Sequence, residues 1–160
     1  VYSDNKLINT NYITFSEDSE ISFVPQDPFL FDDTVKNNVL FGSRNLKKYK
    51  QIKKYKFIKN LLKELIKNDL TRVGNNGNLL SGGQKQRVAL ARAIFYGKKI
   101  IVMDEPTSSL DVKSKQEIIK VIKFLKKNAT IIITSHQDDV IKHCDYVYKI
   151  NNKKINLLKK

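Results

Sequence analysis

One cysteine in 160 residues, Cys144, leaves no partner for an intramolecular disulfide, so packing alone must hold the fold and a reducing compartment is the default. No metal-ligand spacing surrounds it, and it reads as a small core or surface residue. Long apolar runs are missing too. The runs Ile100–Met103 and Ile131–Ile133 are strand-sized, and no run approaches the roughly 20 residues that a bilayer-crossing helix needs. No segment has the layout of a signal peptide, and no stretch repeats internally. Arginine is scarce, with 4 residues against 26 lysines in a chain of net charge +14. Such a charge raises nucleic acid as a partner, but bidentate readers of bases and phosphates are usually arginines. Asn (15) and Ile (18) are abundant as well, so we read the charge as a Lys/Asn/Ile bias and expect no nucleic-acid partner. A leading Met is also lacking. Val1 opens a polar stretch, which reads as the start of a piece of a longer protein.

A hydrophobic content of 41% suits one globular domain. Residues 1–24 alternate weakly and end in Ile21–Val24, a strand by composition; Pro25 and Pro28 then bracket a loop. Thr34 is placed to cap a short helix that Gly42 stops. Residues 47–68 put Ile52, Tyr55, Ile58, Leu61, Leu62, Leu65 and Ile66 on one helical face with lysines opposite. That spacing predicts one amphipathic helix, packed on its own domain rather than on a membrane surface. Val73–Gly77 is a loop by composition, and a helix runs from Gln84 to Tyr96 with Gly97 as its stop. Ile100–Met103 reads as a strand buried on both faces. Residues 114–127 form a second amphipathic helix with Ile118, Ile119, Val121, Ile122 and Leu125 inward. Thr130–Thr134 is a strand, Gln137–His143 a short helix and Tyr146–Ile150 a last strand. Strands alternating with helices predict an α/β fold with a largely parallel core.

Five segments can carry chemistry. The strand Ile100–Met103 runs into Asp104 and Glu105, at the end where open α/β sheets bind ligands. Asp104 is placed to hold Mg²⁺ directly or through water, and Glu105 to orient or deprotonate an attacking water. Alone, the pair reads equally well as two solvated acids. Leu80-Ser81-Gly82-Gly83-Gln84 opens a helix, with Ser81 as its cap and two glycines that let a phosphate reach free backbone N–H groups. His136 follows the strand Thr130–Thr134, where an imidazole can reach a γ-phosphate or a catalytic carboxylate. Gln26, between two prolines, can bind water or Mg²⁺. Ser108-Ser109-Leu110-Asp111 serves as a turn and helix cap, and a functional role for Asp111 can coexist with capping.

In this order, the segments resemble the nucleotide-binding domain of ABC transporters from about Phe23 to Ile155. Gln26 matches the Q-loop, Leu80–Gln84 the signature without a substitution, Ile100–Asp104 Walker B, Glu105 the catalytic glutamate, Ser108–Asp111 the D-loop and His136 the switch histidine. The resemblance implies a P-loop NTPase (RecA-like) core with a largely parallel sheet plus a helical subdomain. Residues 1–28 would end the first part of the core, 29–84 would be the helical subdomain ending in the signature, and 85–160 the rest of the core. It implies ATP and Mg²⁺ as ligands and a second nucleotide-binding domain paired head to tail. Ser81, Gly82 and Gly83 would contact nucleotide across that pairing, Gln84 and Asp111 would also serve nucleotide binding, and Gln26, Asp104, Glu105 and His136 would act on the nucleotide this domain holds. Transmembrane domains would be the other partner, with this domain on the cytoplasmic face.

No G-x-x-x-x-G-K-[ST] occurs in the chain, so the Walker A loop that cradles phosphates is expected upstream, about 50 residues before Gln26. The chain alone is therefore expected to hydrolyse ATP negligibly. Pro28–Gly42 resembles the exporter pattern. Asn68–Thr71, Val73-Gly74 and Gly77, together with Ser135-His136-Gln137, are similar to the first nucleotide-binding domain of multidrug-resistance-associated (C-type) proteins. Arg72 and Asn75 depart from exporters, which usually carry Glu there, and Glu105 departs from C-type first domains, which often lose it. The competing class is a soluble ABC ATPase without membrane helices. Only 53 residues separate Gln26 from Leu80, too few for the long coiled coil of repair and chromosome-structure ATPases. Ser108-Ser109 stands where translation factors usually carry Asn-His.

Overall fold

A computed structural model describes residues 2–3, 6–7, 20–151 and 153–159. Most of the alternation read over residues 1–24 lies outside them; Tyr2–Ser3 (β1) and Lys6–Leu7 (β2) pair antiparallel. The core sheet has three parallel strands, Ile21–Val24 (β3), Ile100–Asp104 (β4) and Thr130–Thr134 (β5), in the order β3-β4-β5. Val24, Met103 and Ile133 are in register across it. The residues just past them therefore leave the sheet at one end, which gathers Gln26, Glu105 and His136 although about 110 residues of chain separate the first from the last.

Between β3 and β4 lies a helical part: Val35–Leu40 (α1), Leu46–Ile52 (α2), Lys56–Glu64 (α3) and Gly82–Tyr96 (α4). After β4 come Val112–Leu125 (α5), β5, Asp138–Ile141 (α6), and the strands Val147–Asn151 (β6) and Lys154–Lys159 (β7). Helix α4 joins two hydrophobic cores. Val88, Ala91 and Phe95 pack with Leu30, Val39, Leu61 and Val73 in the helical part. Ala89, Leu90 and Ala93 pack with Val24, Met103 and Ile118 against the sheet. A helix apolar on both sides must be sandwiched. Its burial, roughly 1.5–3 kcal/mol for each large apolar side chain, fixes the orientation of its N-terminal end.

The caps act as their residue types dictate. Thr34 accepts from the Asn37 amide at the start of α1. Gly97 takes the left-handed conformation (φ 64°) that ends α4 at little cost. Helix α1 ends one residue earlier than expected, with Phe41 itself left-handed at φ 44° before Gly42.

Two expectations need correction. Residues 47–68 form two helices, not one. Tyr55 is extended and caps α3, because the buried positions Tyr49 and Ile52 of α2 do not stay in helical phase with Ile58, Leu61 and Leu62 of α3. Tyr55 and Ile66 accordingly leave the apolar face, with Ile66 96% exposed. Strand β4 is buried on one face only: Ile101 and Met103 are covered, whereas the opposite face carries the cross-strand row Phe23–Val102–Ile132, of which Phe23 and Ile132 are about half exposed. The last expected strand forms as β6 and pairs antiparallel with β7 among the described residues.

Candidate functional site

Two corners of the molecule carry the candidate residues. The first is the start of α4. Ser81 Oγ accepts from the Gln84 amide at 3.3 Å, and Gln84 Oε1 accepts from the Ser81 amide at 3.0 Å. This capping box uses two of the donors a helix start leaves open. The amides of Gly82 and Gly83, the first two residues of the helix, remain without a partner among the described residues, aligned with the positive end of the helix dipole. Two adjacent free amides suit an anion.

The glycines are not equivalent. A Cβ on Gly83 would lie 2.5 Å from Ser114 Oγ and 2.7 Å from its Cβ, so close packing on α5 demands this glycine. A Cβ on Gly82 would meet nothing nearer than Leu110 Cδ2 at 3.7 Å. No neighbour in the chain requires Gly82 to be bare, which leaves its exposed face open to a ligand. Gln84 is held by the capping box and reaches Glu64 at 3.5 Å, so its side chain serves the helix start itself.

The second corner is the end of β4. Glu105 takes a left-handed φ of 41°, which for a residue with a side chain costs about 1–3 kcal/mol. Its amide still bonds Thr134 O at 3.0 Å, so the strain turns the carboxylate without breaking the sheet. Glu105 Oε1 lies 2.7 Å from His136 Nδ1. An ionised carboxylate only accepts, so in this bond Nδ1 is the donor, and the imidazole is otherwise largely exposed. Glu105 Oε2 is buried without a hydrogen-bond partner. Asp104 accepts a short hydrogen bond from Thr134 Oγ1 across the β4–β5 register. Thr134 has no motif of its own in the sequence, and only the strand pairing exposes its role.

A cavity of about 370 Å³ connects the two corners. Gln26, Gly82, Gln86, Glu105, Ser108 and Ser109 are among the residues that line it. It thus brings together the Q-loop, signature and D-loop candidates. Asp104 and His136 stand beside it, tied to it by sequence adjacency and by the Glu105 bond. Asp111 caps α5, accepting from the Ser114 amide at 3.0 Å, and hydrogen bonding from Ser114 holds its carboxyl below the usual carboxylate range. Among the described residues no three His, Cys, Asp or Glu side chains cluster as a metal cage. A larger cavity, about 570 Å³, lies away from this chemistry on the helical part, lined by Phe31, Asp33, Asn37, Leu40 and Phe41 among others. Arg92 and Phe41 stack beside it, the guanidinium 4.8 Å from the ring.

The family model described as ABC transporter matches residues 2–108, two thirds of the chain. The chain belongs to the ABC transporter family. Its relatives fit the geometry of an ABC ATPase domain. A protein named as an export ATP-binding/permease protein from Rickettsia prowazekii (strain Madrid E) is 36% identical over 151 residues, covering 91% of this chain and 26% of the relative. An ATP-dependent lipid A-core flippase from Wigglesworthia glossinidia brevipalpis is 35% identical over 140 residues, covering 86% and 24%. A solved structure of a bacterial Atm1-family ABC exporter with ATP bound superposes with a TM-score of 0.70 at 31% identity, over 81% of this chain and 23% of that one. The chain therefore spans about a quarter of the length of the relatives it matches. The resemblance to exporters stands; no comparison separates out the multidrug-resistance-associated group. No helix among the described residues is long and apolar enough to cross a membrane.

Proposed function

We propose that this ABC transporter domain binds and hydrolyses ATP as the motor of an exporter, from the cytoplasmic face of a membrane. The observation that supports it best is the pair of free amides at Gly82 and Gly83, with Gly82 lining the same cavity as Glu105 and Gln26. Glu105 takes the proton of an attacking water or orients that water, and the Nδ1 bond from His136 holds its carboxylate in place. Gln26 and Asp104 would hold the metal side of the site. A Mg²⁺ ion bound by one or two protein oxygens plus phosphates needs no protein cage, which suits the scattered acids found here. Mg²⁺–ATP supplies the scissile phosphoanhydride and part of the charge neutralisation. Ser81, Gly82 and Gly83 serve nucleotide held by a second nucleotide-binding domain, and Asp111 orders the turn between the two corners.

Residues 29–84 act as the helical subdomain, with the core formed by 1–28 and 85–160; the two hydrophobic clusters meeting at α4 support that division. The Phe31–Phe41 cavity faces the transmembrane partner. Arg72 reaches Asp32 O at 3.5 Å, so it serves its own loop where exporters usually offer a glutamate. Within exporters, kinship to first domains of multidrug-resistance-associated proteins rests on Asn68–Thr71 and Ser135–Gln137.

The test is phosphate release by the complete polypeptide that the gene encodes, by its Glu105→Gln variant, and by the 160-residue chain alone. Turnover by the first, lost by about 100-fold or more in the second and absent from the third, is expected. No turnover by the complete polypeptide, or robust turnover by the chain alone, refutes the reading.

A further inference from the structure

Gln86 is 3% exposed, yet sequence motifs give it no role. Its Nε2 donates to two backbone carbonyls at once, Pro25 O at 3.1 Å and Gln26 O at 2.8 Å. Two acceptors at that end fix the orientation of the amide, since a flip would set oxygen against oxygen. Gln86 Oε1 is then left buried with no partner, and Gln86 lines the same cavity as Glu105, whose Oε2 is also buried and unpartnered. An apolar side chain of equal shape would strand no acceptor there, so packing alone does not account for an amide.

Neighbours on α4 reinforce the same connection. Lys85 Nζ lies 3.8 Å from Asp27 Oδ1. Seven residues on, on the same helical face, Arg92 reaches Phe29 O at 3.3 Å. The helix whose first turn carries Gly82 and Gly83 thus grips residues 25–29 at three points, and of the three side chains Gln86 is the one that bonds the backbone of Gln26 itself.

We propose that Gln86 is a positioning residue that ties the Gln26 loop to the signature helix, so that Gln26 and the Gly82–Gly83 amides move as one body. This rests on the ATPase reading above. A shift of Gln26 against Asp104 and Glu105 then displaces the signature corner, and a ligand that pulls Gln26 inward sets the amides that face the second domain.

The test uses the complete polypeptide with Gln86→Met, which keeps the shape without the donor, and Gln86→Glu, which places a carboxylate against two carbonyls. Rates are normalised to folded protein. Gln86→Met is expected to lower kcat about tenfold or more with KM for ATP within about twofold, because a small misplacement of a positioned group acts on the reacting geometry. For Gln86→Glu, which sets a carboxyl against Pro25 O and Gln26 O, kcat is expected to fall at least as far as in Gln86→Met, again with KM for ATP little changed. A folded Gln86→Met or Gln86→Glu protein with wild-type kcat overturns the proposal. Absence of ATP turnover in wild type itself would instead strike the ATPase reading.

Discussion

Replacing Arg87 with Met removes the guanidinium that joins three helices. Arg87 lies on α4 with its side chain 4% exposed. It donates to Glu64 on α3 at 2.6 and 3.0 Å, to Glu117 on α5 at 2.9 Å, and to Gly83 O at 3.2 Å. Breaking one side of a buried ion pair costs about 3–5 kcal/mol, because the remaining charge stays out of water. Here Glu64 is 34% exposed and can rehydrate, whereas Glu117, 17% exposed, keeps only Asn60 Nδ2 at 3.2 Å. The lower end applies, about 3 kcal/mol. Urea unfolding of the chain should show the midpoint fall by about 1–2 M. The pH dependence has a definite sign. The Arg87 hydrogen bond, the largest influence on Glu64, holds its carboxyl below the usual glutamate range despite partial burial. A carboxyl lowered on folding contributes stability above its unfolded value and loses it as pH falls through the folded one. The difference between wild type and Arg87→Met should therefore shrink below the usual glutamate range. A loss under about 0.5 kcal/mol, independent of pH, would refute the reasoning, since it would mean both glutamates rehydrate freely.

Gly83→Ala should destabilise the chain by about 1–3 kcal/mol in the same assay, from the clash with Ser114, and Ser114→Gly should restore most of it. Gly82→Ala should leave the urea midpoint nearly unchanged, since its Cβ would make only ordinary van der Waals contacts, with Leu110 Cδ2 at 3.7 Å and Ser109 O at 3.9 Å. Ser81→Ala should cost about 1 kcal/mol by breaking the capping box. Thr134→Val removes the donor that orients Asp104, and should raise the Mg²⁺ concentration for half-maximal ATP turnover in the complete polypeptide by about tenfold; an unchanged Mg²⁺ requirement would separate Thr134 from the metal.

Local chemistry was legible in the sequence, and long-range chemistry was not. Thr34, Ser81 and Asp111 announce their caps because a cap is a contact within three residues. The Ser81–Gln84 reciprocity was readable from the S-x-x-Q spacing and was missed, because Gln84 was assigned to nucleotide alone. Helical periodicity failed at Tyr55 because the i, i+3 spacing of Ile52, Tyr55 and Ile58 reads as one continuous stripe, although the buried positions on its two sides are out of helical phase. The expectation that Ile100–Met103 is buried on both faces failed because an apolar run fixes the strand but not what covers it. In the site, motif residues were identifiable by type and order. Their supports were not: Thr134 for Asp104, Ser114 against Gly83, Gln86 on the Gln26 loop and Arg87 between two glutamates all depend on partners up to 61 residues away.

The central claim is that the bare amides of Gly82 and Gly83 grip the phosphates of a nucleotide held by the opposite domain. Labelled ATP retained through gel filtration by the Glu105→Gln complete polypeptide measures that grip directly. The account predicts retention in Glu105→Gln and its loss when Gly82→Asp is added, with the fold intact because Gly82 is an exposed position whose added Cβ meets nothing nearer than 3.7 Å. Undiminished retention in the folded double variant would contradict it.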